Sequence, residues 1–281
     1  MNISDDLKKH NFHFKKKLGQ NFINDDHLLS KIVAAAEVSA EDVVIEIGPG
    51  AATLTAALAK KAKQVIAVEI DKDLYPIINE RMAEFENFEL VCGDAMKVDF
   101  DELAAKYGVK RYKIVANLPY YITTPIVMRL LEEGFRTERI VIMVQKEVAE
   151  RFLAKAGTKA YGAITVALNY YGEVTRAFNV PRSMFTPRPE VDSAVVCIKC
   201  WQEKPFQAID EKLWRSLVKA AFSQRRKTLN NALKTLNFPA EVLKAALAEA
   251  NIDPSRRGET LSVEEFVRLA NILSAYKKTL A

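Results

Sequence analysis

The chain has 281 residues, a formal net charge of +5, 49% hydrophobic residues and 27% charged residues. This composition is typical of a globular protein, and the length suits one large domain and one small domain. No apolar run approaches the roughly 20 residues of a membrane-spanning helix, and residues 1–17 lack the apolar core of a signal peptide. We therefore expect a cytoplasmic protein without a membrane partner.

The three cysteines are an odd number, which argues against a disulfide framework. Cys197 and Cys200 form a C-x-x-C pattern, but no second cysteine pair or nearby histidine completes a zinc site. Both fall in an apolar run that predicts a buried strand, where we expect reduced thiols. The three histidines lie near the N-terminus, away from every candidate motif. We predict no bound metal and no histidine-based mechanism.

Short apolar, β-branched runs alternate with helical patterns in the first half of the chain. Near-continuous apolar strands of this kind are buried on both faces, as in a parallel sheet. The alternation favours right-handed strand–helix–strand units and a doubly wound, Rossmann-like α/β fold. The predicted strands are, in chain order, 43–47, 65–69, 88–91, 113–116 and 140–144.

Two later apolar runs, 163–171 and 194–200, are separated by a proline-rich stretch and predict an antiparallel pair of strands at one edge of the sheet. After about Trp201 only helical patterns remain, and 213–236 predicts one long basic helical segment. Ser262 and Glu265 have the spacing of a capping box at the start of a later helix. We predict a catalytic domain over 1–203 and a small all-helical domain over 204–281.

The first predicted strand ends in a glycine-containing turn, and the second ends in a carboxylate. Gly48 and Gly50 allow a tight turn and a close approach of a ligand to the backbone. Glu69, 21 residues after Gly48, can accept both ribose hydroxyls of a nucleoside. A dinucleotide-dependent dehydrogenase favours G-x-G-x-x-G, but Thr53 occupies the third position. A nucleoside cofactor without a phosphate, S-adenosylmethionine (SAM), suits the motif better, so a methyltransferase is favoured over a dehydrogenase.

The third predicted strand is followed by Asp94, which can accept from an adenine amino group or cap a helix. The fourth ends in Asn117-Leu118-Pro119-Tyr120. The Asn117 side-chain oxygen and the Leu118 carbonyl can accept the two hydrogens of a planar amine. Pro119 stiffens this loop, and Tyr120 offers a face on which a base can stack. The alternative is an ordinary strand-to-helix turn, which is the weaker interpretation after Glu69 and Asp94.

Two other stretches complete the predicted site. Gln20 and Asn21 precede the first strand, and their amides can close over the methionine end of the cofactor; the alternative is a lead-in to a helix. Phe185 begins the proline-stiffened run 185–193 and can face Tyr120 across a flipped base. The alternative for Phe185 is packing in the core.

Basic residues concentrate near both ends of the chain. Between positions 212 and 240 there are seven lysines and arginines and no acidic residue, and the N-terminal segment adds Lys8, Lys9, Lys15, Lys16 and Lys17. Such clusters indicate a polyanionic partner; the alternative is a pair of solvated, lysine-rich surfaces.

These motifs, in this order, resemble the KsgA-type ribosomal RNA adenine dimethyltransferases, also called RsmA, along nearly the whole chain. The residues that carry the resemblance are Leu18-Gly19-Gln20-Asn21-Phe22, Glu46-Ile47-Gly48-Pro49-Gly50, Asn117-Leu118-Pro119-Tyr120, Gln145-Lys146-Glu147-Val148, Phe185-Thr186-Pro187 through Val191-Asp192-Ser193-Ala194-Val195-Val196, and Gln224-Arg225-Arg226-Lys227-Thr228.

The resemblance implies N6,N6-dimethylation of two adjacent adenosines near the 3′ end of 16S, small-subunit ribosomal RNA, with the immature 30S subunit as partner. It implies that Tyr120 and Phe185 pack on the target base, and that Arg225, Arg226 and Lys227 contact RNA. The cofactor contacts that it implies are Asn21, Ile23, Gly48, Glu69, Asp94 and Asn117, to which the motifs themselves add Gln20 and Gly50.

One departure is Ala52, which stands where related branches have a third glycine; from it we expect tighter packing against the cofactor. We expect a monomer, since nothing in the sequence indicates an obligate dimer.

Three alternatives remain open. The Erm branch methylates large-subunit ribosomal RNA, although the runs 191–196 and 225–228 are more similar to the KsgA side. A catalytically idle ribosome-assembly or transcription factor could have the same fold, although the intact motif at Asn117 argues against it. A small-molecule N-methyltransferase is disfavoured by the basic helical segment.

Overall fold

The computed structural model describes residues 9, 10, 12, 14, 15, 20–119 and 121–280. The chain forms two compact units. The first contains Met1–Ala149 and Glu173–Cys200, and the second contains Glu150–Gly172 and Trp201–Ala281. In the part of the chain that is described, no helix is both long enough and apolar enough to cross a membrane.

Nine strands are assigned within the described residues. They are β1 Phe22–Ile23, β2 Val43–Ile47, β3 Gln64–Glu69, β4 Phe88–Cys92, β5 Tyr112–Asn117, β6 Thr137–Gln145, β7 Gly172–Val180, β8 Phe185–Thr186 and β9 Ser193–Cys200.

The α-helices alternate with these strands at first and then follow one another. They are α1 Asp26–Ala35, α2 Thr53–Ala59, α3 Tyr75–Met82, α4 Phe100–Ala105, α5 Thr123–Glu132, α6 Lys146–Phe152, α7 Ala163–Tyr171, α8 Glu211–Ser223, α9 Leu229–Ala232, α10 Ala240–Glu249 and α11 Val263–Leu280.

Aspartates begin three of these helices. The carboxylates of Asp25, Asp99 and Asp210 accept from backbone N–H groups in the first turns of α1, α4 and α8. Each bond satisfies a donor that has no partner within the helix itself.

The first unit is built on a seven-stranded sheet with the order β4-β3-β2-β5-β6-β9-β7. The pairs β3–β4, β2–β3, β2–β5 and β5–β6 are parallel, whereas β9 is antiparallel to β6. Every residue of β2 and β3 is buried, as their continuous apolar runs predict. The predicted Rossmann-like α/β fold and its five parallel strands are therefore confirmed.

One predicted strand is wrong, because residues 163–171 form helix α7. Residues on nearly all sides of this helix are buried, so its apolar run lacks the polar stripe that distinguishes a helix from a strand. The strand beside β9 is instead β7, which has mostly exposed or half-buried residues and carries no continuous apolar signal. The other run, 194–200, lies in β9 as predicted, and Cys197 and Cys200 within it are free thiols.

A separate two-stranded sheet joins residues far apart in sequence. β1 and β8 are antiparallel, with Phe22 opposite Thr186 and Ile23 opposite Phe185. This pairing ties the segment before α1 to the proline-rich run that follows β7.

In the second unit, the predicted continuous helical segment 213–236 is interrupted between Ser223 and Leu229. The amide of Leu229 donates to the carbonyl of Arg256 at 2.6 Å, so a later loop contributes a hydrogen bond at the start of α9. The predicted capping box is present: Ser262 Oγ accepts from the Glu265 amide at 3.1 Å, and Glu265 accepts from the Ser262 amide at 2.8 Å.

The division into units differs from the predicted domains, which assigned 150–172 to the first domain. Helix α7 belongs to the helical unit because its aromatic residues pack on α8. The ring of Tyr170 stacks on that of Trp214 with centroids 4.0 Å apart, and the Tyr170 hydroxyl donates to Glu211. The later boundary, between Cys200 and Trp201, lies close to the predicted 203/204.

Candidate active site

The carboxyl ends of four parallel strands place the predicted polar residues along one edge of the sheet. Four neighbouring strands of the sheet are, in spatial order, β4, β3, β2 and β5. Glu69 and Asn117 are the last residues of β3 and β5, while Asp94 and Gly48 follow the ends of β4 and β2. Ligands of open α/β sheets bind at this edge. A cavity of about 280 Å³ lies there. Its wall includes every predicted cofactor residue, namely Gln20, Asn21, Ile23, Gly48, Gly50, Glu69, Asp94 and Asn117.

The turn after β2 approaches the cavity with its backbone. Gly48 has φ +70°, and a Cβ added there meets no heavy atom within 4 Å, so the residue leaves open space for a ligand. A Cβ added to Gly50 would lie 2.7 Å from the ring of Phe22. The close packing of this ring therefore requires glycine at position 50.

Ala52 also belongs to this turn but has a different effect from the one expected. It adopts the left-handed region, with φ 59° and ψ 25°, is buried, and does not line the cavity. The expectation of tighter cofactor packing is therefore wrong. Alanine at this position strains the backbone by about 1–2 kcal/mol relative to glycine and leaves the cavity wall unchanged.

Glu69 is a buried carboxylate whose two oxygens are oriented by backbone amides. Oε1 accepts from Ile70 at 2.9 Å and from Asp71 at 2.8 Å, while Oε2 accepts from Gly50 at 3.3 Å. Burial raises the pKa of Glu69, and the three amides act in the opposite direction. An ionised carboxylate has about four acceptor sites, two on each oxygen, so Oε1 is filled by its two amides and Oε2 retains capacity for a ribose hydroxyl.

Asp94 follows β4 and is held in a short turn. Its Oδ1 accepts from the Met96 amide at 2.9 Å, and the structure records no donor to Oδ2 among the described residues. Asp94 therefore caps its own turn and has a second oxygen for an amino group, so the two predicted roles are compatible.

Asn117 forms the end of β5, and its side-chain amide has a defined orientation. Nδ2 donates to the backbone carbonyl of Asn21 at 2.9 Å, which leaves Oδ1 as an acceptor. Leu118 and Pro119 also line the cavity. The carbonyl of Pro119 accepts from the Ile122 amide at 3.1 Å and from the Thr123 hydroxyl at 3.0 Å, so the loop is fixed against the start of α5.

Tyr120 and Phe185, the two aromatic residues predicted to pack on the target base, have different outcomes. Tyr120 lies outside the described residues. Phe185 is only 4% exposed, packs in the buried core of the first unit with Phe22 and Met143, and does not line the cavity. The structure thus favours the alternative role of Phe185, which is packing in the core beneath the β1–β8 pair.

Several residues of the site were not identified from the sequence. Ile70 and Tyr121 line the cavity with 55% and 60% of their surface exposed. Their position directly after the Glu69 and Tyr120 motif residues was the available signal. A third residue is Asp71, which is buried directly after β3, and no pattern in the sequence pointed to it.

Asp71 connects the N-terminal segment to the strand that ends in Glu69. Its Oδ2 accepts from the side-chain amide of Gln20 at 2.7 Å, and its Oδ1 pairs with Lys15 at 2.5 Å. The Gln20 oxygen accepts from the Lys15 amide at 2.9 Å. Gln20 therefore joins Lys15 to Asp71 and also lines the cavity, and its direct contact with the cofactor stays a prediction.

Glu46 is a buried acid on the cavity wall. Its Oε2 has no hydrogen-bond partner among the described residues. Burial raises the pKa of Glu46 to about 8, the Thr55 hydroxyl opposes this shift, and the charge of Glu69 adds to it.

The predicted RNA-binding residues lie in the interruption between α8 and α9, within the helical unit. The guanidinium of Arg225 donates to the carbonyls of Lys159 and Tyr161 at 2.7 and 2.9 Å and pairs with Glu259 at 3.5 Å. Arg226 and Lys227 are exposed, and no side-chain partner is recorded for them in the described part of the chain. All three residues are exposed, and Arg225 differs from its two neighbours in being hydrogen-bonded within the unit.

The residues of the cavity fit SAM. Glu69 Oε2 matches a ribose hydroxyl, Asp94 Oδ2 matches an adenine amino group, and the open space at Gly48 accepts a ligand close to the backbone. No phosphate is needed to explain the arrangement.

Comparisons with known proteins agree with this geometry. The family model described as ribosomal RNA adenine dimethylase matches residues 11–275. The chain is 49% identical to the ribosomal RNA small subunit methyltransferase A of Moorella thermoacetica, covering 92% of each chain. It is 47% identical to the protein of the same name from Clostridium acetobutylicum, covering 94% of this chain and 95% of that one.

Two solved structures are similar over most of the chain. A dimethyladenosine transferase from Plasmodium falciparum is 30% identical with a TM-score of 0.78, covering 92% of this chain and 98% of that one. The 23S rRNA methyltransferase ErmE is 27% identical with a TM-score of 0.69, covering 90% of this chain and 100% of that one. The chain belongs to the ribosomal RNA adenine dimethylase family and is a SAM-dependent methyltransferase.

Proposed function

We propose that this enzyme dimethylates N6 of two adjacent adenosines near the 3′ end of 16S ribosomal RNA during maturation of the 30S subunit. The observation that carries the chemistry is the orientation of Asn117, whose nitrogen is bound to Asn21 and whose oxygen is left to accept. The choice of the small subunit is supported by relatives at 46–49% identity that are named small subunit methyltransferases.

The nitrogen of adenine N6 is a weak nucleophile because its lone pair is delocalised into the ring. Asn117 Oδ1 and the Leu118 carbonyl accept the two N6 hydrogens, which turns the lone pair out of conjugation and towards the methyl donor. When bound, SAM supplies an electrophilic methyl group on a sulfonium centre. The residues therefore act by orientation and electrostatics.

No strong base or metal is required by this proposal. The N6 nitrogen becomes acidic once it is methylated, so its proton passes to solvent, and the leaving group, S-adenosylhomocysteine, is a good one because it is a neutral thioether. Tyr120 is proposed to stack on the flipped base. Arg226 and Lys227 are proposed to contact RNA phosphates, because they are exposed and cationic.

We also propose that the enzyme acts in the cytoplasm, where its ribosomal substrate is assembled, and that it acts as a monomer. Light scattering of the purified protein, alone and with RNA, tests the monomer. A stable dimer at the concentrations used for catalysis would contradict it.

The deciding experiment is methylation of immature small subunits, mature small subunits and naked large-subunit RNA with labelled SAM. Mapping of the modified base follows. We expect two adjacent dimethyladenosines near the 3′ end of 16S RNA. Modification of large-subunit RNA alone would support the Erm alternative. Binding to subunits without any transfer would support an assembly factor, and labelling only of small amines would support the small-molecule alternative.

A further inference from the structure

Arg129 is a nearly buried cation outside the wall of the cavity. It lies in α5, the helix that begins directly after the 117–122 loop, and its side chain is 9% exposed. Nη1 donates to the backbone carbonyls of Ala95 and Val98 at 2.6 and 2.9 Å. Both carbonyls belong to the turn that follows Asp94, more than 30 residues earlier in the chain.

The guanidinium is held in one plane by its other neighbours. It lies over the rings of Phe100 and Phe135, at 5.4 and 5.0 Å from their centroids. Glu133 accepts from Nε at 3.1 Å and pairs with Nη2 at 3.0 Å. An ammonium group has neither the fork nor the flat face for these contacts, so the site is specific for arginine.

The turn that Arg129 grips positions Asp94. Asp94 Oδ1 accepts from the Met96 amide, and the Asp94 carbonyl accepts from the amides of Lys97 and Val98 at 2.8 and 3.1 Å. These bonds close the turn, and the carbonyls of Ala95 and Val98 point out of it towards Arg129. Asp94, Ala95 and Met96 all line the cavity, so movement of this turn changes the cavity wall.

The same helix is fastened at its other end to the catalytic loop. Thr123 Oγ1 donates to the carbonyl of Pro119 at 3.0 Å. Helix α5 therefore spans the distance between the loop that orients the target amine and the turn that carries Asp94.

We infer that Arg129 is a positioning residue, which holds the Asp94 turn against α5 so that the nucleoside end of the cofactor stays in register with the Asn117 loop. It does not touch the reacting atoms, and its effect passes through Asp94. This inference rests on the proposed function only in assigning Asp94 to the cofactor.

The test measures cofactor binding without RNA. For Arg129→Ala and Arg129→Lys we expect the Kd of S-adenosylhomocysteine, measured by titration calorimetry, to rise roughly tenfold or more, since charge-assisted bonds that orient Asp94 are lost. The KM for SAM should rise in parallel, while kcat at saturating SAM and the KM for RNA stay within about threefold. The lysine variant should not rescue binding, although it keeps the charge.

Two variants are controls. Glu133→Gln removes the ion pair but leaves both carbonyl contacts, and Arg136→Ala removes an exposed arginine that pairs with Asp101. Both should bind S-adenosylhomocysteine like the wild type. Reduced thermal stability of Arg129→Lys with an unchanged Kd would overturn the inference, and this holds even if Arg129→Ala does not fold. Because the Kd is measured without RNA, methylation of the wrong ribosomal RNA by the wild type would refute the proposed function without affecting the binding result.

Discussion

The side-chain nitrogen of Asn117 donates a 2.9 Å hydrogen bond to the backbone carbonyl of Asn21, 96 residues away in sequence. One contact therefore joins the loop that begins at Asn117 to the segment 20–23, and both line the cavity. It also decides which end of the amide is free to accept, because an amide nitrogen cannot accept a hydrogen bond.

Removal of this side chain should abolish orientation of the target amine. For Asn117→Ala we expect kcat to fall roughly 100-fold or more, the scale seen when one polar group that stabilises a transition state is lost, with RNA affinity within about threefold. Asn117→Asp keeps an acceptor but places an oxygen against the Asn21 carbonyl, so intermediate activity is expected. Single-turnover methylation and gel-shift binding measure both effects. Turnover like that of the wild type in the alanine variant would refute the role of Asn117.

The basic residues between α8 and α9 should separate into two classes. Arg226→Ala with Lys227→Ala should weaken RNA binding and reduce the slope of log K against log salt by roughly 1.5, since two phosphate contacts are lost. Arg225→Ala should instead lower the stability by about 0.5–1.5 kcal/mol, because its hydrogen bonds to the carbonyls of Lys159 and Tyr161 are lost at a partly exposed site. Binding titrations across a salt series and thermal unfolding distinguish the two. An unchanged salt slope in the double variant would remove this segment from the RNA interface.

Phe185 should behave as a core residue. We expect Phe185→Ala to lose about 3–5 kcal/mol of stability, as is usual for a buried phenylalanine. Phe185→Leu fills most of the same volume and should retain both stability within about 1.5 kcal/mol and most of the methyl transfer. Urea unfolding and RNA methylation rates measure these quantities. If Phe185→Leu folds normally but raises the KM for RNA tenfold, the ring contacts the target base after all.

Glu46 should make stability depend on pH. The pKa of Glu46 is about 8 in the folded protein, and the unfolded chain is taken to have the ordinary glutamate pKa of 4.5. Between these values the folded state keeps a proton that the unfolded state releases, so the free energy of unfolding falls as pH rises from about 4.5 to about 8. Glu46→Gln should remove this slope and gain stability relative to the wild type on the order of a few kcal/mol at pH 8.

Unfolding between pH 5 and 8.5 tests the prediction, with Glu84→Gln as the matched change at an exposed carboxylate. The Glu84 variant should follow the wild type across the range. A difference between Glu46→Gln and the wild type that does not vary with pH would refute the assignment of a protonated Glu46.

The cavity was predictable from the sequence to a large extent. Gly48, Glu69, Asp94 and Asn117 each follow or end an apolar run, and parallel strands bring their carboxyl ends to one edge. Local patterns therefore sufficed to place these four residues in a common site. The same patterns failed at 163–171, where a helix buried on most sides has no polar stripe to reveal its period.

Other properties depend on contacts between distant residues. The sequence alone determined which residues meet at the sheet edge, because alternating strands and helices imply parallel strands, whose carboxyl ends lie at one edge. The tertiary structure decided how those side chains are turned. The amide of Asn117 is oriented by Asn21, the turn of Asp94 is held by Arg129, and Arg225 is engaged by carbonyls of the loop between α6 and α7. Hydrogen bonds of this kind join positions 30 to 100 residues apart. They cannot be predicted from the periodicity of residues that are adjacent in sequence.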